Sequence, residues 1–121
     1  LAALCWMGII YYLSSQPGQD MPLLFPGQDK LAHLVVYGIL GFLLTGAVRA
    51  AQHGYRTASF WYVVAIVALY GISDEFHQWF VPGRSADILD VLADSVGGLL
   101  GAWLMVLAAR LVRHRSINRV K

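Results

Sequence analysis

The chain has 121 residues, 58% of them hydrophobic and only 13% charged, with a mean hydropathy of +0.58. A soluble domain of this size carries about a quarter charged residues, so an ordinary soluble domain is excluded and an all-α integral membrane protein of a single domain is indicated. The net charge of +2 says little by itself, while the lone Cys5 excludes an internal disulfide and any thiol-redox or zinc–thiolate motif.

Leu1 to Leu13 (LAALCWMGIIYYL) is the first apolar segment. As a helix it reaches about 20 Å, against a hydrocarbon core of about 30 Å. The segment is therefore expected to continue in residues preceding Leu1. A cleaved signal peptide competes weakly, because a basic leader and an A-x-A-like site are both missing. Ser14 to Gln28 (SSQPGQDMPLLFPGQ) holds three prolines and two glycines and reads as a loop or re-entrant connection. The second segment runs from about Asp29 to Arg49, the third from about Ala58 to Phe80, and the fourth from about Ala86 to Val112. AAQHGYRT joins the second and third, and Pro82-Gly83 turns the chain between the third and fourth.

Seven of the nine basic residues (Arg49, Arg56, Arg110, Arg113, Arg115, Arg119, Lys121) lie in one short loop or the tail. The acidic residues (Asp20, Asp29, Asp74, Glu75, Asp87, Asp90, Asp94) lie elsewhere, near Lys30 and Arg84. Basic short loops stay cytoplasmic. Four transmembrane helices with N- and C-termini cytoplasmic follow, and the loops around Lys30 and Arg84 are then outside. Trp61, Tyr62 and Trp79 fall near the ends of the third segment, as interfacial aromatics should. The basic tail is read as a topology anchor facing anionic lipid, and no nucleic-acid partner is expected.

Polar residues recur on single helical faces. Lys30, His33, Tyr37 and Gly41 share one in the second segment. Tyr70, Asp74, His77 and Gln78 share one in the third, with Glu75 at its margin. Asp87, Asp90 and Asp94 continue into Gly97, Gly98 and Gly101 in the fourth, opposite an apolar face of Leu89, Leu92, Val96, Leu100 and Trp103. Polar side chains facing hydrocarbon are costly and turn toward neighbouring helices or a wet cavity, while small residues let helices approach closely. A polar pocket near the outer end is therefore expected. Its carboxylates outnumber Lys30 and Arg84, so protonation, solvent, the two histidines or a bound metal must compensate them.

Each candidate has a structural reading beside the chemical one. His33, Asp74, Glu75 and His77 are candidate catalytic groups, with Asp74 placed to orient His77 as a base; they equally suit a network locking the helix ends. Arg84 could clamp an anionic head group or simply pair with Asp87 or Asp90. Ser85 suits a helix N-cap better than a nucleophile. Lys30, Tyr37, Gln78, Arg84, Asp90 and Asp94 are the candidate ligand-binding residues. No cofactor is predicted; a divalent metal between the acidic stripe and the histidines stays an alternative, without H-x-x-x-H or H-E-x-x-H spacing to favour it. Nucleotide loops and a nucleophile elbow are also absent from the sequence.

Ser14-Ser15-Gln16-Pro17, DKLAHLVVYGILGFL from Asp29 and YGISDEFHQWFVPGRSADILDVLADSVGGLLG from Tyr70 together resemble the VanZ-like family of small bacterial membrane proteins. Asp94 departs from the Asn that many members carry in a D-x-x-x-N pattern, which adds a carboxylate. The resemblance implies a multi-pass protein of the bacterial cytoplasmic membrane with a cell-envelope role. The family's founding member is linked to low-level resistance to teicoplanin, a lipophilic glycopeptide. Three readings stay open: a module that binds or moves an amphiphilic or lipid-linked ligand, a hydrolase or transferase on a lipid-linked envelope substrate, and a structural partner of another envelope protein. Membrane lipid is the expected partner, and the oligomeric state is left open.

Overall fold

A computed structural model describes residues 1–18, 24–52 and 56–118. Asp20, Arg119, Lys121 and the Arg115 side chain, charges used in the topology argument, lie outside what is described, as does the centre of the AAQHGYRT turn. The described residues form four helices and no strand: α1 (Ala2–Ser14), α2 (Gln28–Ala51), α3 (Thr57–Gln78) and α4 (Ile88–Asn118). Three of them, α2, α3 and α4, are long and apolar enough to cross a membrane, whereas α1 is a shorter apolar helix of 13 residues.

The packing alternates in direction. Lys30 at the start of α2 meets Asp87 and Asp90 at the start of α4, and further along Gly41 backs onto Gly98 and Gly46 meets Met105. Helices α2 and α4 therefore run parallel. Trp6 Nε1 in α1 donates to Val36 O in α2 at 2.9 Å, and Tyr70 Oη in α3 donates to Met7 O at 2.8 Å. Ser14, at the end of α1, bonds Asp74 near the end of α3. The ends of α1 and α3 and the starts of α2 and α4 thus gather at one end of the bundle. Arg49, Arg56, Arg110 and Arg113 belong to the opposite helix ends.

The seam between α2 and α4 is backbone against backbone. A Cβ at Gly41 would strike the carbonyl of Gly98, one at Gly97 the carbonyl of Leu34, and one at Gly101 the carbonyl of Gly38. Without a hydrophobic force between helices in lipid, such close approach supplies the dispersion contacts that hold a bundle together. Ile10, Tyr37, Leu40, Val63, Val67 and Ala102 form the buried core. Leu89, Leu92, Val96, Leu100 and Trp103 of α4 are exposed on the apolar face expected for lipid.

Several boundaries differ from the sequence reading, most of all the end of α4, at Asn118 rather than about Val112, and two of them have a visible cause. Helix α3 ends at Gln78 rather than Phe80, because Phe80 N and Val81 N bond back only three residues, to His77 O and Gln78 O, and lead into Pro82-Gly83. Gly83 sits at φ 75°, in the left-handed region that favours glycine. Helix α4 begins at Ile88 rather than Ala86, because Asp87, not Ser85, is its cap: Leu89 N donates to Asp87 Oδ1 at 2.9 Å.

Candidate functional site

Three groups of side chains build the polar end. In the first, Lys30 Nζ spans three carboxylates, at 2.9 Å from Asp87 Oδ2, 3.1 Å from Asp29 Oδ2 and 3.2 Å from Asp90 Oδ1. This clamp ties the first turn of α2 to that of α4. The bond from Lys30, supported by the Leu89 N–H, holds the Asp87 carboxyl below the usual carboxylate range.

The second group lies deeper between α2, α3 and α4. His33 Nδ1 is 2.9 Å from Asp94 Oδ1, and Asp94 is fully buried. With Asp94 ionised, Nδ1–H is the donor, and Nε2 faces Glu75 Oε1, 4.0 Å away. The other Glu75 oxygen, Oε2, accepts from Asp87 N at 2.8 Å.

The third group joins α1, α3 and the turn before α4. Ser14 Oγ donates to Asp74 Oδ2 at 2.9 Å, and Gln78 Nε2 donates to the same oxygen at 3.2 Å. Arg84 reaches over the end of α1: Nε donates to Gln16 O and Nη2 to Leu13 O, both at 3.2 Å. The guanidinium thereby adds donors to carbonyls at and just past the C-terminus of α1, where a cation is also favoured by the helix dipole. Gly18 N donates to Pro82 O at 3.2 Å and closes the two loops on each other.

A cavity of about 170 Å³ opens between these groups. Its lining combines the apolar side chains of Ile10, Leu13, Ala32 and Val36 with Ser14, Gln28, Asp29, His33, Tyr37, Asp74, Gln78 and Arg84. Tyr37 Oη is buried and, among the described residues, has no hydrogen-bond partner.

Of the residues singled out in the sequence, His33, Tyr37, Asp74, Gln78 and Arg84 therefore line one cavity. Lys30, Glu75, Asp90 and Asp94 stand outside its lining, in the α2–α4 clamp and the deeper cluster. His77 goes elsewhere: its Nε2 is 3.0 Å from Ser15 Oγ and its ring lies against Tyr11, with centroids 4.7 Å apart. The expected Asp74–His77 dyad does not form, because consecutive serines at the end of α1 take the two side chains separately. The histidine–carboxylate pair that does form is His33–Asp94, between helices. Glu75 is not marginal either; it is as buried as Asp74 and turns toward α2 and α4. The Asp87 and Asp90 carboxylates proposed as partners for Arg84 are held by Lys30.

Sequence reasoning missed Ser14, Gln28 and the apolar wall of Ile10, Leu13 and Val36. Ser14 opens the S-S-Q-P stretch, a signal that was available; the apolar residues carry none, since they look like any other lipid-facing positions. Among the described residues, the donor set closest to metal-ligand spacing is His33, Glu75 and Asp90, whose candidate atoms lie within 4.8 Å of one another.

This arrangement uses all three stretches that carried the resemblance. Residues 1–109 match the family model described as VanZ/LLP1. The chain belongs to the VanZ/LLP1 family. No curated protein and no solved structure matches it. As a VanZ/LLP1 member with three long apolar helices, it is a multi-pass membrane protein. The polar residues of the VanZ/LLP1 segments are those gathered at one end of its bundle.

Proposed function

We propose that the protein binds or moves an amphiphilic or lipid-linked ligand in the cavity at its polar end, from the outer face of the bacterial cytoplasmic membrane. The single observation that carries the reading is a mainly apolar cavity whose lining also includes the polar side chains of Ser14, His33, Asp74, Gln78 and Arg84. Its volume of about 170 Å³ is below the roughly 300–1,000 Å³ of sites that enclose a drug-sized molecule. One head group or one chain segment enters, and the rest of the ligand stays in lipid. An acyl chain would lie along Ile10, Leu13 and Val36, with its head toward Arg84, Gln28 and His33. The outward orientation rests on the arginines at the opposite helix ends and the positive-inside rule. A lipophilic glycopeptide has the same division into acyl chain and polar head, so the link of the family's founding member to teicoplanin extends to this chain as part of the proposal.

A phospholipid with a photoreactive acyl chain, incorporated with the protein in nanodiscs, tests this reading. Adducts are expected on Ile10, Leu13 or Val36 and should fall in a Val36→Trp variant. Adducts confined to the outer face of α4, at Leu89, Leu92 or Leu100, would overturn it.

A second reading is a membrane-embedded hydrolase or transferase on a lipid-linked envelope substrate, favoured by the Asp94-oriented imidazole of His33, the arrangement of a general base. It requires turnover of a purified lipid-linked substrate that His33→Gln abolishes while cross-linking in the cavity persists.

A further inference from the structure

Behind the cavity's polar wall, three side chains from three different helices converge: His33 from α2, Glu75 from α3 and Asp90 from α4. His33 and Glu75 are each fixed through one atom and turn another toward the cluster. His33 Nδ1 is held by Asp94 at 2.9 Å, which turns Nε2 inward. Glu75 Oε2 is held by Asp87 N at 2.8 Å, while Oε1 is buried, has no hydrogen-bond partner among the described residues, and faces His33 Nε2 at 4.0 Å. Asp90 Oδ1 is held by Lys30 at 3.2 Å. One ligand atom from each of His33, Glu75 and Asp90 lies within 4.8 Å of the other two.

An acidic cluster alone would carry nothing, because such groups are common. Here the Glu75 residue is only 4% exposed, and its Oε1, without a hydrogen-bond donor among the described residues, faces His33 Nε2. When His33 is neutral with its proton on Nδ1, these are two acceptors facing each other in a buried space, and a cation between them satisfies both. The Asp94–His33 pair is also how proteins orient a metal-bound imidazole, the outer carboxylate fixing the tautomer and raising ligand basicity. Glu75, Asp90 and Asp94 are all more than nine-tenths buried, and among the described residues the one lysine or arginine with an ion pair to any of them is Lys30, on Asp90. A divalent ion offsets that buried negative charge.

We propose that His33 Nε2, Glu75 and Asp90 form a binding site for a first-row divalent transition-metal cation, with Asp94, the Asp87 N–H and Lys30 holding the ligands from outside. One imidazole and two carboxylates suit zinc or manganese and leave a coordination position open. Metal bonds of about 2.0–2.2 Å require the three atoms to close in by about 1 Å, a movement within reach of carboxylate side-chain rotation. This site goes beyond the amphiphile reading and stands or falls separately from it.

The test uses the full chain in detergent, stripped with chelator, dialysed against Zn²⁺ or Mn²⁺ alone and analysed for bound metal, with X-ray absorption of the bound ion. About one ion per chain is expected for a three-ligand site of this kind, with imidazole scattering and oxygen neighbours. Loss of at least tenfold in affinity is expected in Glu75→Gln and in His33→Gln, and none in His114→Ala, an exposed tail histidine. Should either variant fail to fold, the absorption spectrum of the wild-type chain decides alone: one imidazole with carboxylate oxygens supports the site. An ion surrounded by several imidazoles, affinity unchanged in folded Glu75→Gln, loss of binding in His114→Ala, or no binding would each overturn it.

Discussion

Replacing Gly101 by alanine places one methyl group against the main chain of α2. That methyl would strike the Gly38 carbonyl oxygen and lie 2.7 Å from the Gly38 carbonyl carbon and 3.0 Å from the Phe42 nitrogen. Favourable contact between such atoms needs about 3.5 Å, so the helices must part by about 1 Å. Overpacking typically costs about 1–3 kcal/mol, and the upper end applies because both obstacles are backbone and cannot rotate away. About 3 kcal/mol is roughly a hundredfold in the unfolding equilibrium. Parting α2 from α4 also stretches the Lys30 and His33 bonds that bridge them. Gly46→Ala meets only the terminal methyl of Met105, at 3.1 Å, which can move aside, so less than about 1 kcal/mol is expected. Gly8→Ala meets nothing within 4 Å and should gain about 0.5–1 kcal/mol from helix propensity. Unfolding by SDS titration in mixed micelles, followed by tryptophan fluorescence, ranks the three. If Gly101→Ala unfolds at the same SDS fraction as Gly8→Ala, the backbone-to-backbone seam is wrong.

Removing Asp94 by alanine leaves His33 Nδ1 without its partner in a buried setting and should cost about 1–3 kcal/mol, whereas Asp94→Asn keeps an acceptor and should cost under about 1 kcal/mol; the same SDS titration distinguishes them. Tyr70→Phe loses the bond to Met7 O that fastens α1 and should cost about 0.5–1.5 kcal/mol, read as a lowered melting temperature. The Asp87 carboxyl is held below its ordinary value of 3.8 by Lys30, so its contribution is fully present above that pH and is lost as pH falls through the depressed folded-state value. An acid titration of the wild-type chain should show this loss below pH 3.8, and Lys30→Met should flatten it; an identical acid profile in the variant would contradict the clamp.

Much of this architecture was legible because lipid leaves few choices. Charge deficit and apolar runs marked the helices, and the faces carrying Lys30, His33 and Tyr37, and Asp90, Asp94 and Gly97, turned inward as the cost of polar groups in hydrocarbon requires. The partnerships were harder. Helical spacing tells which residues share a face but not which neighbour that face meets. Asp74 and His77, three residues apart, thus read as a dyad until Ser14 and Ser15 divided them. Glu75 read as marginal because its direction matters only once α4 stands beside α2. Ser85 read as a cap because it precedes Ala86-Asp87, yet Asp87 reaches the Leu89 N–H in the first turn of α4. The apolar wall of the cavity could not be read at all: Ile10, Leu13 and Val36 differ from lipid-facing residues only in what packs opposite them.

Native mass spectrometry of the chain released from nanodiscs, wild type beside Val36→Trp, tests most directly whether the cavity holds an amphiphile. Val36 contributes an apolar side chain to the cavity lining. A tightly retained lipid or lipid-linked molecule is expected on the wild-type chain, lost from Val36→Trp at an unchanged melting temperature. Equal retention by both chains, or none by either, would contradict the account.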